Sequence, residues 1–594
     1  MPILKNLLFL NNRKKLPLSA LCALPSAAVL WLYREGAFVA APALWLFCTV
    51  LYMYFFSFSQ RRVKVVAALT GFFFSLCCAL SFYAVNADSA LPFYKAALIF
   101  MGCFFFFLPL LSALLRLSCR LSLMLPEDSV RDTGKNRLFL IFAAVFALLF
   151  LWFCPWLLYH FPGCLSPDST WQLLQAKGEY PLSNHHPIAH TMIIRACVLF
   201  GFNLSGGNPS VALAVYSLVQ AFMLALCFAW LIVSLYKMRV KRWAILSVFF
   251  SLILLPYHGE MGVTMVKDVW FAASMLLMGL SLWRTILRAE QGERPSTIDM
   301  VLLFLSSAGM CLFRSNGYYA FIIALPFLCA AFFRKSRAIP AVLLLALALS
   351  SFIKGPYYDS LGIIQPDTIE SLSIPAQHIA RVIADGHELS EDQYELLSHA
   401  LDVEQVEQAY VDYLADPIKD LVRYTGDQDY ISAHRGEYLR LWLQLGIEHP
   451  LSYLKAHMGL TRGYWYPRTD GLVMYDYFTR SVNDGLVCLL PGFLEALLSS
   501  MARYMPRMPL LKLFFSNGSA LWAFVFLAAV CLVRKEWKRL VLFVPSLAVW
   551  ATLLIASPLD NEFRYVYFLY VGLSLLCIVP FSHVNYHKDK VEPQ

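Results

Sequence analysis

Charge is scarce in this chain. Only 15% of its 594 residues are Asp, Glu, Lys or Arg, while 59% are hydrophobic. A soluble domain carries closer to a quarter charged residues, so an ordinary soluble globular protein is excluded. Nucleotide and metal signatures are missing too: there is no phosphate-cradling GxxxxGK(S/T), no dinucleotide fingerprint, no HExxH and no CxxC pair. ATP-driven transport and soluble-type metallohydrolysis are thereby disfavoured. The in/out alternation of membrane-barrel strands is absent, as are repeats and low-complexity tracts.

What is present is a series of apolar runs of roughly 16 to 25 residues, each long enough to cross about 30 Å of hydrocarbon as a helix. In lipid the backbone must satisfy its own hydrogen bonds, so these runs are expected to be helical. The predicted spans begin at about Leu16–Tyr33, Ala37–Ser57, a third ending near Asn86, a fourth carrying Phe104 to Phe107, and Leu138–Tyr159. They continue at about Val211–Tyr236, Trp243–Tyr257, Val269–Leu287, Met300–Phe313, Tyr318–Phe333, Ile339–Ile353, Leu513–Val533, Leu540–Ser557 and Tyr565–Phe581. The first is read as a retained anchor, because no small-residue cleavage site follows it. Ile188–Leu204, short and holding His190 and Arg195, is read as an interfacial helix.

Every second loop is basic, from Arg61, Arg62 and Lys64 through Lys335 to Lys588 and Lys590. The positive-inside rule puts those loops in the cytoplasm. The net charge of +9 belongs to this pattern and does not imply nucleic acid. The Asp168 loop, the Lys267, Arg314 and Arg564 turns and a large polar insert then face outward. The expected fold is an all-α polytopic membrane protein with about fourteen transmembrane helices and a mostly helical external domain. Its expected divisions are a four-helix bundle (1–136), a transmembrane core (137–354) with an external loop at 161–207, the external domain (355–511), and a C-terminal segment with a cytoplasmic tail (512–594). Most of the 15 Cys lie in spans, where Cys acts as a small hydrophobe. Cys164 and Cys488 lie outside them, and a bridge between the two is left open.

Ionisable groups concentrate between Phe161 and Pro187, where a span leaves the lipid. Such groups in membrane proteins commonly serve chemistry or transport. Ser166 and Pro167 read as a helix cap and first position. Asp168, Gln172 and Gln175 then share a stripe, with Trp171 and Leu174 to one side. The helix dipole favours an Asp168 carboxylate by about 0.3–1 kcal/mol. Asp168 is either a base or cation holder, or simply a helix-start charge; Glu179 reads as a solvated loop charge. In Asn184-His185-His186-Pro187, a histidine could hydrogen-bond an anionic substrate or serve a turn. His186 and His190 have metal-ligand spacing, but a divalent metal would need a third ligand such as Asp168 or Glu179. Lys267, Arg314 and Arg564 each sit at an outward span end. They point to a shared anionic ligand, or to local pairing with Asp268, Asp560 and Glu562. Thr461 to Arg468, TRGYWYPR, could stack on a sugar or anchor at the interface.

Several segments taken together resemble the GT-C superfamily of integral-membrane glycosyltransferases, and more narrowly a bacterial multi-pass membrane family. They are PGCLSPDSTWQ, NHHP, the Lys267–Asp268 pair, RSNG (Arg314–Gly317), HPLSYL, GYWYP and EFRY (Glu562–Tyr565). The resemblance implies a GT-C-like fold and a cell-membrane enzyme acting on the non-cytoplasmic face. It implies a polyprenyl-phosphate sugar donor and a cell-envelope glycan, lipid or protein acceptor, among membrane lipids. Asp168 matches the catalytic acid of the first large external loop. Gln172, Asn184, His185, His186, Lys267, Arg314, Asn316, Trp465 and Arg564 are the expected substrate-binding residues. No cofactor is expected. The chain departs from the family in that Asp168 has no acidic neighbour in sequence and five spans precede its loop; an added four-helix bundle accounts for the second. Other functions fit the composition: a transporter or flippase, a polymerase or ligase using lipid-diphosphate donors, and a sensor or scaffold.

Overall fold

The computed structural model describes residues 15–33, 40–86, 92–125, 134–334, 336–468 and 486–582. Lys335, Lys588 and Lys590, counted above among the basic loop residues, lie outside the described residues. The chain is an all-α multi-pass membrane protein. Among the described residues ten helices are long and apolar enough to cross a membrane. Four more expected spans are apolar but shorter: Leu16–Leu30, Ala40–Phe56, Thr297–Phe313 and Asn517–Val533.

Two readings from sequence change. The expected span at Trp243–Tyr257 is bent by 56° between Arg242–Leu254 and Pro256–Val263. Pro256 opens the second piece, where its missing N–H costs nothing. The helix read as interfacial, Ile188–Ser205, has the length and apolarity of a span. It turns at Gly206 and Gly207, both at positive φ, into Pro209–Lys237. Its polar residues are satisfied from within: Arg195 donates to the Ala176 carbonyl at 3.0 Å, and the buried His190 ring lies 2.9 Å from Gln172 and 2.6 Å from the Tyr216 hydroxyl.

The four N-terminal helices pack on one another and meet the core through Asn517–Val533. There Phe74 stacks on Trp522, ring centroids 4.1 Å apart. The polar insert folds around its own apolar cluster, including Val382, Val406, Ile418, Leu441 and Leu445. Its helices are locally encoded, as in Glu391–Ser398, where Ser390 and Gln393 form a capping box. The insert is stitched to two separate loops by backbone bonds. Ile364 pairs with Leu182 and Asn184, while Ala415 and Tyr413 pair with Pro558 and Asp560.

One small element sets the geometry of everything below. Cys164–Leu165 and Thr264–Met265 form a two-residue parallel ladder. Ser217 donates to the Pro162 carbonyl at 3.2 Å, and Gln220 donates to the Thr264 carbonyl at 2.6 Å and the Met261 carbonyl at 2.9 Å. Buried backbone groups must find partners, and here one helix supplies those the ladder cannot. Gly163 makes the approach possible. It sits at φ +127, and a Cβ there would lie 2.0 Å from the Ser217 hydroxyl. Gly163→Ala should therefore destabilise by about 1–3 kcal/mol of backbone strain, with a clash added. Gly178→Ala is the comparison, at φ +82 with nothing within 4 Å. It should cost only about 1–2 kcal/mol, the ordinary left-handed penalty. Thermal unfolding midpoints of the two variants in detergent test the order.

Candidate active site

Each strand of the ladder leads directly into a helix. After Leu165 comes Pro167–Lys177, capped by Ser166, whose side chain accepts from the Ser169 N–H, and closed by the left-handed Gly178. After Met265 comes Lys267–Glu290. The ladder sets Leu165 beside Met265, so the first turns of both helices start side by side. Asp168 occupies one first turn; Lys267 and Asp268 occupy the other.

Lys267 Nζ lies 2.9 Å from Asp168 Oδ2, and Arg564 Nη1 reaches the same oxygen, also at 2.9 Å. Among the described residues no hydrogen bond to Asp168 Oδ1 is recorded. The Asp168 side chain keeps 25% of its surface exposed, against 1% for Asp268, so of the two it is the one a ligand can reach. His186 Nδ1 stands 3.2 Å from Lys267 Nζ and 4.0 Å from Asp168 Oδ2. An ammonium only donates, so Nδ1 accepts and the ring is neutral.

A second layer of charge supports the first. Arg314 pairs with the buried Asp268, and its Nε donates to Asn316 Oδ1 at 3.0 Å. Asn316 in turn donates to Thr552 at 3.0 Å. Glu562 Oε1 lies 3.2 Å from Arg564 Nε. Both guanidinium groups lie near the Tyr565 ring, Arg314 at 4.7 Å and Arg564 at 5.3 Å from its centre. Three carboxylates (Asp168, Asp268, Glu562) thus balance three cations (Lys267, Arg314, Arg564).

The loop carrying Glu562 is clamped by GYWYP. The buried Tyr464 hydroxyl donates to the Leu559 carbonyl at 2.6 Å and accepts from the Glu562 N–H at 3.2 Å. The Gly463 N–H and Arg468 both donate to Asp560, each at 2.6 Å. A Cβ on Gly463 would fall 2.3 Å from that of Asn561.

The expected site residues therefore separate. Asp168, His186, Lys267 and Arg564 converge; Arg314 and Asn316 join them through Asp268 and Tyr565. Gln172 does not, a correction: it is buried, donates to Thr191 at 2.9 Å and holds His190, which fixes the next helix. Trp465 is likewise corrected. It packs with Cys77, Tyr83, Met458 and Leu521. Asn184 is tied to Ile364 and, at 3.4 Å, to Gln365, both in the insert. His185 faces Glu370 of the insert at 4.0 Å. Glu179 pairs with Lys177. Cys164 is buried and Cys488 exposed, both as free thiols. His186 and His190 diverge, towards Lys267 and towards Tyr216. Among the described residues no three His, Cys, Asp or Glu side chains are grouped to hold a metal. The pairing of span-end cations with Asp268 and Glu562, one of the two readings offered from sequence, is present: Arg314 pairs with Asp268 and Arg564 with Glu562. The residue that sequence reasoning missed is Tyr464 as the clamp.

Burial opposes ionisation of Asp168, but the Arg564 and Lys267 charges outweigh it and hold the carboxyl well below the usual carboxylate range. Burial, reinforced by Lys267, pushes His186 down from 6.5 to about 2. Burial raises Glu562, against the pull of Arg564 and with help from Asp268 and Asp168. The sign for stability follows from proton counting. Asp168 contributes fully above about pH 3.9, and that contribution is lost as pH falls through its depressed folded value. Between about pH 6.5 and 2 the unfolded chain protonates His186 and the folded chain does not, so stability declines as pH falls from neutrality. The melting midpoint should drop on acidification from about pH 7.5 to 5, a window set by the ordinary histidine value. His186→Asn, which keeps an acceptor for Lys267, should flatten that drop.

Comparison with known proteins adds family membership. No curated protein and no solved structure matches the chain. A family of unknown function (DUF6020) matches residues 174–593, which include Lys267, Arg314, Glu562 and Arg564 and begin just after Asp168. That match covers well over half of the sequence, and the chain belongs to the DUF6020 family.

Proposed function

We propose that the chain is a membrane glycosyltransferase of GT-C-like build. It moves a sugar from a polyprenyl-phosphate donor to a cell-envelope acceptor on the outer face, with Asp168 as general base. The observation that carries this reading is the division of labour on one carboxylate. Oδ2 is held by Lys267 and Arg564, while among the described residues nothing donates to Oδ1 of this partly exposed group.

The chemistry balances. The acceptor oxygen forms a bond to the anomeric carbon, and its proton passes to Asp168. The bond from that carbon to the phosphate oxygen breaks through an oxocarbenium-like state, as in other glycosyl transfers. Polyprenyl phosphate leaves with the electron pair, and Lys267, Arg564 and Arg314 compensate its charge. Attack opposite the leaving group inverts the centre. A carboxylate held so acidic is a weak base at rest. When the donor phosphate takes a share of Lys267 and Arg564, Asp168 loses part of that stabilisation and becomes more basic. The balanced set of three carboxylates and three cations suits a phosphodiester with one negative charge better than a diphosphate, which favours this donor over that of a polymerase or ligase.

The bent helix pair and its buried Glu260, whose Oε1 has no hydrogen-bond partner, favour a second reading. Interrupted helices are typical of transporters. Movement of a lipid-linked sugar across proteoliposomes without a covalent product would support it.

The test is transfer by purified protein in proteoliposomes, using a radiolabelled polyprenyl-phosphate sugar and envelope extract. Asp168→Asn should cut the rate by about 10²-fold or more, as expected for loss of a general base, with an unchanged elution profile. Near-normal transfer by that variant would remove Asp168 from the role.

A further inference from the structure

The Ala338–Phe352 helix does not end cleanly. It widens into a π-helical turn, Ile353–Tyr357, that includes Gly355 and Pro356. Such turns are uncommon and often mark functional positions. This one carries Lys354. The Lys354 ammonium sits 5.0 Å from the centre of the Tyr318 ring, and among the described residues no carboxylate pairs with it. An unpaired cation in an otherwise apolar span is costly and calls for a function.

Its place in the fold supplies one. Tyr318 is one turn along the helix that Arg314 starts, and its N–H bonds the Arg314 carbonyl. The Tyr318 hydroxyl is fixed by Ser351 at 2.9 Å. Lys354 lies over the Tyr318 ring, Arg314 and Arg564 both lie near the Tyr565 ring, and the Tyr318 N–H bond to the Arg314 carbonyl joins the two sets along one helix. The inner cations are neutralised by Asp268, Asp168 and Glu562. Among the described residues Lys354, unlike Arg314 and Arg564, has no carboxylate partner. The surface around it is apolar and exposed: Tyr319, Ile323, Phe352 and Tyr357. Nothing lies within 4 Å of the position a Cβ would take on Gly355, so the turn faces open space. Ile353 and Leu182 both pack against the cluster of Ile188, Tyr358 and Ile363, and Leu182 and Ile188 flank the His185–His186 loop in sequence. A net positive charge set in a lipid-type surface, next to a balanced ion cluster, attracts an anionic headgroup whose tail stays in hydrocarbon.

We propose that Lys354, on the face of Tyr318, binds the phosphate of a membrane lipid and delivers it sideways from the bilayer to Arg314 and Arg564. The delivery step rests on the transfer reading above; the binding step does not. A lipid headgroup and free phosphate share the chemistry, and the tail distinguishes them.

The test uses the full chain in phosphatidylcholine nanodiscs, with no sugar and no acceptor present. Retention of radiolabelled farnesyl phosphate is measured, with farnesol and inorganic phosphate as competitors. Wild-type protein should retain farnesyl phosphate, and neither competitor should displace it. Lys354→Gln should weaken retention about tenfold, the scale of one charge-assisted contact, while Lys354→Arg should retain it. Tyr318→Leu provides a second variant should Lys354→Gln fail to fold. Equal retention by Lys354→Gln, no retention by wild type, or full displacement by inorganic phosphate would each overturn the proposal. None of these results touches Asp168, whose role is decided by the transfer assay.

Discussion

Two residues of parallel backbone pairing decide where the ion cluster of this protein sits. Cys164–Leu165 and Thr264–Met265 come from distant parts of the chain, and each runs straight into a helix. A parallel ladder this short leaves most of its polar groups unpaired. The amide of Gln220 meets the Thr264 carbonyl and, with the hydroxyl of Ser217, the flanking Met261 and Pro162 carbonyls, so one long helix fixes both strands. Because the ladder sets the register, Asp168 and Lys267 begin their helices as neighbours. Gly259 and Gly262 let this unit seat tightly: a Cβ on either would run into Trp156 or Phe153.

The ion cluster that results is not explained by stability. Buried ion pairs roughly break even against apolar packing, because desolvation offsets attraction. Six charged side chains at one level of a membrane protein are an expensive way to hold helices together. What they provide is a rigid, electrically balanced site in which one carboxylate stays reachable. Tyr565 contributes a ring that both guanidinium groups approach.

The local features of this arrangement were legible in sequence and the long-range ones were not. Ser166-Pro167 announced a helix start because capping is decided within a few residues, and the cap forms as read. Apolar runs gave the spans because length and composition are local quantities; the bend at Pro256 went unread, though Pro after Leu255 was visible. Lys267, Arg314 and Arg564 were read as a set of span-end cations, because their place at the ends of apolar runs is a local feature. That Asp268 serves Arg314, or that Arg564 shares an oxygen with Lys267, depends on packing between distant helices. Gln172 and Trp465 misled for a related reason. A stripe or an aromatic cluster says which side chains travel together, not what they meet. Gln172 meets the neighbouring helix, and the GYWYP segment meets the loop before the last span.

That last contact bears on how the molecule is made. Arg564 belongs to the final apolar helix, whereas Asp168 and Lys267 leave the ribosome several hundred residues earlier. A nascent chain therefore carries the acid with only one of its two cations until the closing hairpin has inserted. Tyr464 cannot grip Leu559 and Glu562 before then either. Site completion is thus coupled to the end of membrane integration, and the ion cluster closes only when the last hairpin is in place.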